Sequence, residues 1–278
     1  MLYKQKNFIQ RSLSIVLFLP LVLIALIWSQ WTYFCLCFYI LLLSMLEFYK
    51  PFERIQIHAI RSYGTLLGLL LYTLSFAYAC QSGLSVIWLF GLVPSTILVV
   101  IIAIHRPKTP NPFLDVAITI FALLYIAIPI SCLHHLAFFT GSYSHKLILG
   151  LLLMIWSQDL GGYIVGTLFG KRKMCPNISP KKTWEGFIGS VVFIALVSHI
   201  LAYRLPILEP WQWYAMMLIT IITGSYGDLL ASLMKRNVNI KNFSELIPGH
   251  GGILDRIDGL LLTIPTVSAF LKICSIFA

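Results

Sequence analysis

Residues 224–259, GSYGDLLASLMKRNVNIKNFSELIPGHGGILDRIDG, join two apolar runs, 211–231 and 258–277, through a charged segment. Three of the chain's five aspartates, Asp228, Asp255 and Asp258, lie here, with Lys235, Arg236, Lys241, His250 and Arg256. An apolar run of about 20 residues is long enough to cross hydrocarbon as an α-helix. The stretch therefore reads as the foot of one membrane helix, a polar loop, and the start of the next.

The rest of the 278 residues extends that reading, being 59% hydrophobic and only 11% charged, where a soluble domain is about a quarter charged. Further apolar runs fall at 12–29, 32–49, 63–80, 84–104, 113–133, 147–168 and 184–203, which makes about nine transmembrane helices. They are too long for barrel strands, and lipid offers no partner to open backbone groups. The expected fold is an all-α polytopic membrane protein forming a single integral domain over 1–278. The proline-rich RPKTPNP at 106–112 divides an N-terminal packing half, 1–112, from a C-terminal half, 113–278, expected to carry the catalytic cavity. The opening segment resembles a signal peptide but lacks a small-x-small cleavage site, so it reads as a retained first helix.

The net charge of +10 is read first as topology. With the N-terminus cytoplasmic and the C-terminus outside, all of the twenty Lys and Arg except Lys146, Arg204 and Lys272 fall on the cytoplasmic side, as the positive-inside rule requires. Nothing in this spread calls for a nucleic-acid partner. The six cysteines have no metal-binding spacing and read as small core residues.

Two further segments carry polar chemistry. Asp159 lies in the sixth run, in WSQDLGGYIVGTLFG. An intramembrane carboxylate costs about 2.5–3.5 kcal/mol near a helix centre and so reads as functional, facing protein, water or a metal. The glycines at 162, 166 and 170 read as a packing face. The loop GKRKMCPNISPKKTWEG, 170–186, holds five cations. Lys171 to Lys173 read as a positive-inside anchor, Ser179 or Thr183 as a cap of the seventh helix, and Lys181 and Lys182 as phosphate contacts beside its N-terminus.

Asp228, Ser232 and Lys235 recur at i, i+4 and i+7 and share one stripe of the eighth helix, with Arg236 on the next face. Asp255 and Asp258 stand one turn apart where the ninth helix begins. Three carboxylates at one depth repel unless a cation or internal pairing with Lys235 or Arg256 neutralises them. Hard oxygen donors without cysteine favour Mg²⁺, which takes one or two carboxylates and completes its shell with water and phosphate. In Pro248-Gly249-His250-Gly251-Gly252 the glycines let backbone amides approach a phosphate.

The segment from Ser232 to Asp258, with SLMKR and LIPGHGGILDRID, resembles the C-terminal signature of the phosphatidate cytidylyltransferases, or CDP-diacylglycerol synthases. SPKKTWEG at 179–186 and D-x-G-x-Y at 159–163 are similar to the same family. The resemblance implies an enzyme of phospholipid biosynthesis, in a bacterial-type inner membrane, that joins CTP and phosphatidic acid into CDP-diacylglycerol and pyrophosphate at a cytoplasm-facing site. It implies Mg²⁺ and admits a second, monovalent cation such as K⁺, and a homodimer. By matching position, Asp228 and Asp255 are metal ligands supported by Asp258. Lys235, Ser232, Arg236, Arg256 and Gly249, His250, Gly251 and Gly252 serve phosphate, as do Ser179, Lys181 and Lys182. Asp159 and Lys241 line the cavity.

Two positions depart from the family pattern: Asn242 replaces an aspartate, and Ala231 an acidic residue. Because Asp228, Asp255 and Asp258 remain, an active enzyme is expected. A CTP-dependent lipid-alcohol kinase and an ion-coupled transporter or flippase are the alternatives, and the second lacks the paired interrupted helices of inverted-repeat carriers.

Overall fold

The computed structural model describes residues 19–80, 92–105, 109–246 and 251–277. Its helices are α1 (Leu19–Trp28), α2 (Gln30–Glu53), α3 (Arg61–Cys80), α4 (Leu92–His105), α5 (Pro112–Ala137), α6 (Lys146–Phe169), α7 (Trp184–Arg204), α8 (Pro210–Asn237) and α9 (Leu254–Phe277). All but α1 and α4 are long and apolar enough to cross a membrane. Residues 12–18 and 84–91 of the two remaining apolar runs lie outside the described residues. The long helices expose large apolar side chains such as Leu66, Leu168, Leu196 and Ile222, an arrangement suited to hydrocarbon rather than water. The chain is an all-α, multi-pass membrane protein.

Local chemistry explains where several helices begin and bend. The polar break at Ser29 is a capping box: Ser29 Oγ accepts from Thr32 N, while Thr32 Oγ1 accepts from Ser29 N. That satisfies two amides the start of α2 would otherwise leave open. Inside α5, residues Leu123–Ala127 form a π turn, closed by Ile128 N donating to Leu123 O.

The chain divides into two compact units, each discontinuous in sequence. The first comprises 1–134 with 237–257. Its core is aromatic: Phe48 of α2 is fully buried, with ring centroids 5.1 Å from Phe52, 6.0 Å from Phe121 and 6.3 Å from Tyr125. Glycine lets α3 lie close, since a Cβ on Gly68 would meet Ala127 at 3.2 Å and Met45 at 3.3 Å. Buried Asp115 accepts from His58 N at 2.6 Å, and Thr119 Oγ1 accepts from Ile60 N at 2.9 Å. Helix α5 thereby satisfies the backbone leading into α3.

The second unit comprises 135–236 with 258–278. Helices α6 and α7 meet through glycine: a Cβ on Gly161 would stand 2.5 Å from Gly189 O, and one on Gly162 2.6 Å from Ser190 Oγ. Ser190 Oγ donates to Gln158 O at 2.7 Å across this contact. Close backbone approach of this kind drives association in lipid, where apolar contact alone gives no preference. Helices α8 and α9 cross in the same manner, since a Cβ on Gly227 would come 2.7 Å from Asp258 O. Thr223 Oγ1 donates to Thr263 Oγ1 at 2.9 Å along that crossing.

The segment between α6 and α7 departs from the expected irregular loop. Strands β1 (Lys173–Cys175) and β2 (Ser179–Thr183) form an antiparallel hairpin, pairing Lys173 with Thr183 and Cys175 with Ser179 across a bulge. Pro176 and Asn177 sit in the turn, which Ile178 N closes on Cys175 O. Both are favoured turn residues.

The glycine contacts predict a graded response. Gly189→Ala, whose Cβ would lie 2.5 Å from Val165 Cβ, should destabilise the protein by about 1–3 kcal/mol. Gly166→Ala meets its neighbours at 3.4 Å and beyond and should be near neutral. Thermal unfolding of both variants in one detergent reads the difference.

Candidate active site

In the second unit the hairpin, α8 and the start of α9 bring two lysine–aspartate pairs together. Lys182 Nζ of β2 lies 2.6 Å from Asp228 Oδ2 of α8 and also donates to Ser225 O at 3.3 Å. Lys235 Nζ, on the same helix as Asp228, stands 3.9 Å from Asp258 Oδ2. Both carboxylates sit by the glycine crossing, Asp228 next to Gly227 and Asp258 next to Gly259.

The two pairs differ in burial. The Lys182 and Asp228 side chains are 28% and 42% exposed, and a pair of that exposure contributes about 0–1 kcal/mol. Either partner can turn to a phosphate or a cation at little cost. The Lys235 and Asp258 side chains are 10% and 13% exposed. Losing one member of such a buried pair costs about 3–5 kcal/mol, because its charge stays buried.

Strand geometry separates Lys181 from Lys182, which the sequence sets side by side. Successive residues of a strand face opposite ways, so Lys182 turns inward to Asp228 while Lys181 is exposed. Ser179 is half-buried at the start of β2. The hairpin base is closed by Glu185, whose Oε2 accepts from Lys171 N at 3.0 Å and Arg172 N at 3.1 Å. Trp184 N adds a bond to Arg172 O at 3.0 Å. Thr183 caps α7 by accepting from Gly186 N at 3.2 Å. Gln158 Nε2 ties α6 to α8 at Ser225 Oγ, 3.1 Å away, and the adjacent Asp159 is exposed. Ser232 is half-buried one turn beyond Asp228, and Arg236 is exposed.

In the first unit, Asp255 Oδ2 accepts from Phe243 N at 3.0 Å and Gly252 N at 3.1 Å. It draws Phe243 and Gly252 onto the start of α9. Gly251 is left-handed, with φ +87°, and a Cβ there would stand 3.1 Å from Asp255 Oδ2 and 3.2 Å from Asn242 Cγ. Only glycine suits both the dihedral and the space. Lys241 and Arg256 are exposed. Gly249 and His250 lie outside the described residues. Of the two departures from the family pattern, Asn242 packs at Gly251, and Ala231 is fully buried in α8.

Asp228 in the second unit and Asp255 in the first each offer hard oxygen donors, a chemistry that suits Mg²⁺ better than a soft metal. Among the described residues no three His, Cys, Asp or Glu side chains gather into a metal cage. A cation completed by substrate phosphates and water requires no such cage.

Sequence reasoning passed over Glu47 and Asp115, each a buried acid that holds backbone amides. The signal was the one that drew attention to Asp159: a single acidic residue inside an apolar run.

Helices long enough to span a membrane, with lysine and aspartate held together where α8 meets α9, define a multi-pass membrane protein that gathers charge among apolar helices. The cytidylyltransferase family model matches residues 9–274, and the chain belongs to that family. It is similar to the phosphatidate cytidylyltransferase of Mycobacterium bovis, with 37% identity over 155 residues, 56% of this chain and 50% of the relative. The Bacillus subtilis phosphatidate cytidylyltransferase is 40% identical over 126 residues, 44% of this chain and 46% of the relative. That of Staphylococcus epidermidis is 32% identical over 187 residues, 67% of this chain and 70% of the relative. The matched region spans about half the length of the mycobacterial and Bacillus relatives.

Two outcomes follow from the site's geometry. Asp258→Ala should lower stability by about 3–5 kcal/mol, whereas Lys182→Ala should change it by about 1 kcal/mol or less, both read by thermal unfolding. Glu185→Ala should open the hairpin base, and trypsin should then cut at Lys171 to Lys173 several-fold faster than in the parent protein.

Proposed function

We propose that this chain is a phosphatidate cytidylyltransferase, converting CTP and phosphatidic acid to CDP-diacylglycerol and pyrophosphate at the cytoplasmic face of the membrane. The observation that carries this reading is the pairing of Lys182 with Asp228 and Lys235 with Asp258 at the α8–α9 crossing, in a chain of the cytidylyltransferase family. An anionic lipid and an anionic nucleotide can react only where their charges are neutralised, and lysines beside apolar helices supply that for both.

The chemistry needs no strong base. A phosphatidate oxygen, ionised at neutral pH, attacks the α-phosphorus of CTP. A new P–O bond forms there, the bond from the α-phosphorus to the bridging oxygen breaks, and pyrophosphate leaves with that electron pair. Catalysis is then positioning and charge stabilisation. Lys182, paired with Asp228 by a weak and half-exposed contact, can turn its ammonium to a substrate phosphate. Lys235, held by Asp258, presents a fixed positive charge. Gly251 and Gly252 are assigned to the phosphate turn on their match to the family signature, with Asp255, Asn242 and Glu47 packed against them.

Asp228 and Asp255 are each proposed, on their match to the family signature, to give Mg²⁺ a carboxylate oxygen. The ion would neutralise phosphate charge as it develops. Bound CTP enters from water while the acyl chains of phosphatidic acid remain in the bilayer.

Purified full-length protein in mixed micelles should release pyrophosphate only when CTP, phosphatidic acid and Mg²⁺ are all present. Chelation with EDTA should stop turnover, and added Mg²⁺ should restore it. Asp228→Asn should lower kcat/KM by about 100-fold or more while membrane insertion is unchanged, since insertion depends on the apolar spans. Near-parental activity of this variant would remove Asp228 from the site.

A further inference from the structure

Glu47 lies deep in α2 and is 7% exposed, yet among the described residues its carboxylate accepts hydrogen bonds from a segment about two hundred residues later. Its Oε1 accepts from Ser244 Oγ at 2.6 Å and from Ile253 N at 3.0 Å, and its Oε2 accepts from Leu254 N at 2.8 Å. The sequence separations are 197, 206 and 207 residues. Gly252 packs so closely against this carboxylate that a Cβ there would overlap Oε2. A second contact joins the same elements independently: the Phe48 ring on α2 stands 6.3 Å from Phe243.

The arrangement answers a local need. Helix α9 begins at Leu254, and the residue before it is Ile253, whose side chain cannot accept a hydrogen bond. The first amides of a helix have no partner within it, and Ile253 and Leu254 are buried, at 4% and 0% exposed, away from solvent. Asp255 takes the amide of Gly252 from within the segment, and Glu47 takes those of Ile253 and Leu254 from outside it. The negative carboxylate also lies at the end of α9 where the helix dipole favours it.

Those amides flank the residues to which the proposed reaction assigns phosphate and metal. Gly251 and Gly252 precede them, Asp255 follows directly, and Ser244 marks the far end of the segment. We infer that Glu47 is a positioning residue for the glycine turn and Asp255: it touches no substrate and fixes where both are held. The inference rests on the cytidylyltransferase reading for what is positioned, and on the hydrogen bonds alone for the anchoring.

The test uses the full-length protein in nanodiscs, with hydrogen–deuterium exchange and steady-state kinetics on each variant. Glu47→Ala should speed exchange in peptides covering 243–255 by about tenfold or more, with peptides from α6 and α7 unchanged. Its KM for CTP should rise by about tenfold, while its KM for phosphatidic acid moves by less than about threefold. Glu47→Gln keeps one acceptor oxygen and should fall between Glu47→Ala and the parent on both readouts. Ser244→Ala removes one donor, leaves the carboxylate in place, and should raise the KM for CTP by about threefold. This variant keeps the inference testable if Glu47→Ala does not fold.

Parent-like exchange and KM in Glu47→Gln and Ser244→Ala would overturn the inference. Equal rises in exchange across the whole chain, with both KM values unchanged per folded molecule, would assign Glu47 to general stability and overturn it too. If the parent protein turned over no CTP, the cytidylyltransferase reading would fail, and localised exchange in Glu47→Ala would still support the anchoring.

Discussion

A helix that starts among apolar neighbours must find acceptors for its first amides, and the start of α9 shows how this chain supplies them. The residue before the helix is an isoleucine, so the acceptors come from carboxylates: Asp255 within the segment and Glu47 on α2. Asp115 does the same on α5, holding His58 N ahead of α3. In hydrocarbon each open amide would cost several kcal/mol. Much of the first unit's interior acidic charge is therefore committed to backbone, and the polar segment before α9 is held by the same bonds that complete the helix.

The second unit uses its charge differently. Its helices are brought together by glycine and small hydroxyl residues, at Gly161 against Gly189 and at Gly227 against the backbone of Asp258. Several of its ionised side chains lie on α8, at the start of α9 and in the hairpin. There the Lys182–Asp228 pair is exposed enough to exchange partners, while Lys235 and Asp258 are buried together. On the cytidylyltransferase reading, one contact is remade around substrate and the other keeps a charge in place, as a reaction driven by positioning requires.

The spans were legible because an apolar run of helical length admits few other readings. The gap between the runs 12–29 and 32–49 was also legible, and it proves to hold the Ser29 capping box. The hairpin was not: KMCPNISPKKT lacks alternating apolar residues and carries two prolines, so its pairing depends on Glu185 and the Arg172–Trp184 bond rather than on periodicity. The motif residues around 228–258 stood out as charge in an apolar chain, but motif spacing does not reveal partners. Spacing alone did not indicate that Lys182 meets Asp228, or that one oxygen of Asp255 receives two backbone amides. Glu47 escaped notice because its partners lie 197 to 207 residues away, beyond the reach of any local pattern.

The most direct measurement follows the phosphorus atoms of CTP labelled separately at the α and γ positions, with phosphatidic acid as acceptor. A cytidylyltransferase carries the α label into lipid and releases the γ label as pyrophosphate. Appearance of the γ label in lipid with release of CDP, or no transfer of either label, would contradict the account.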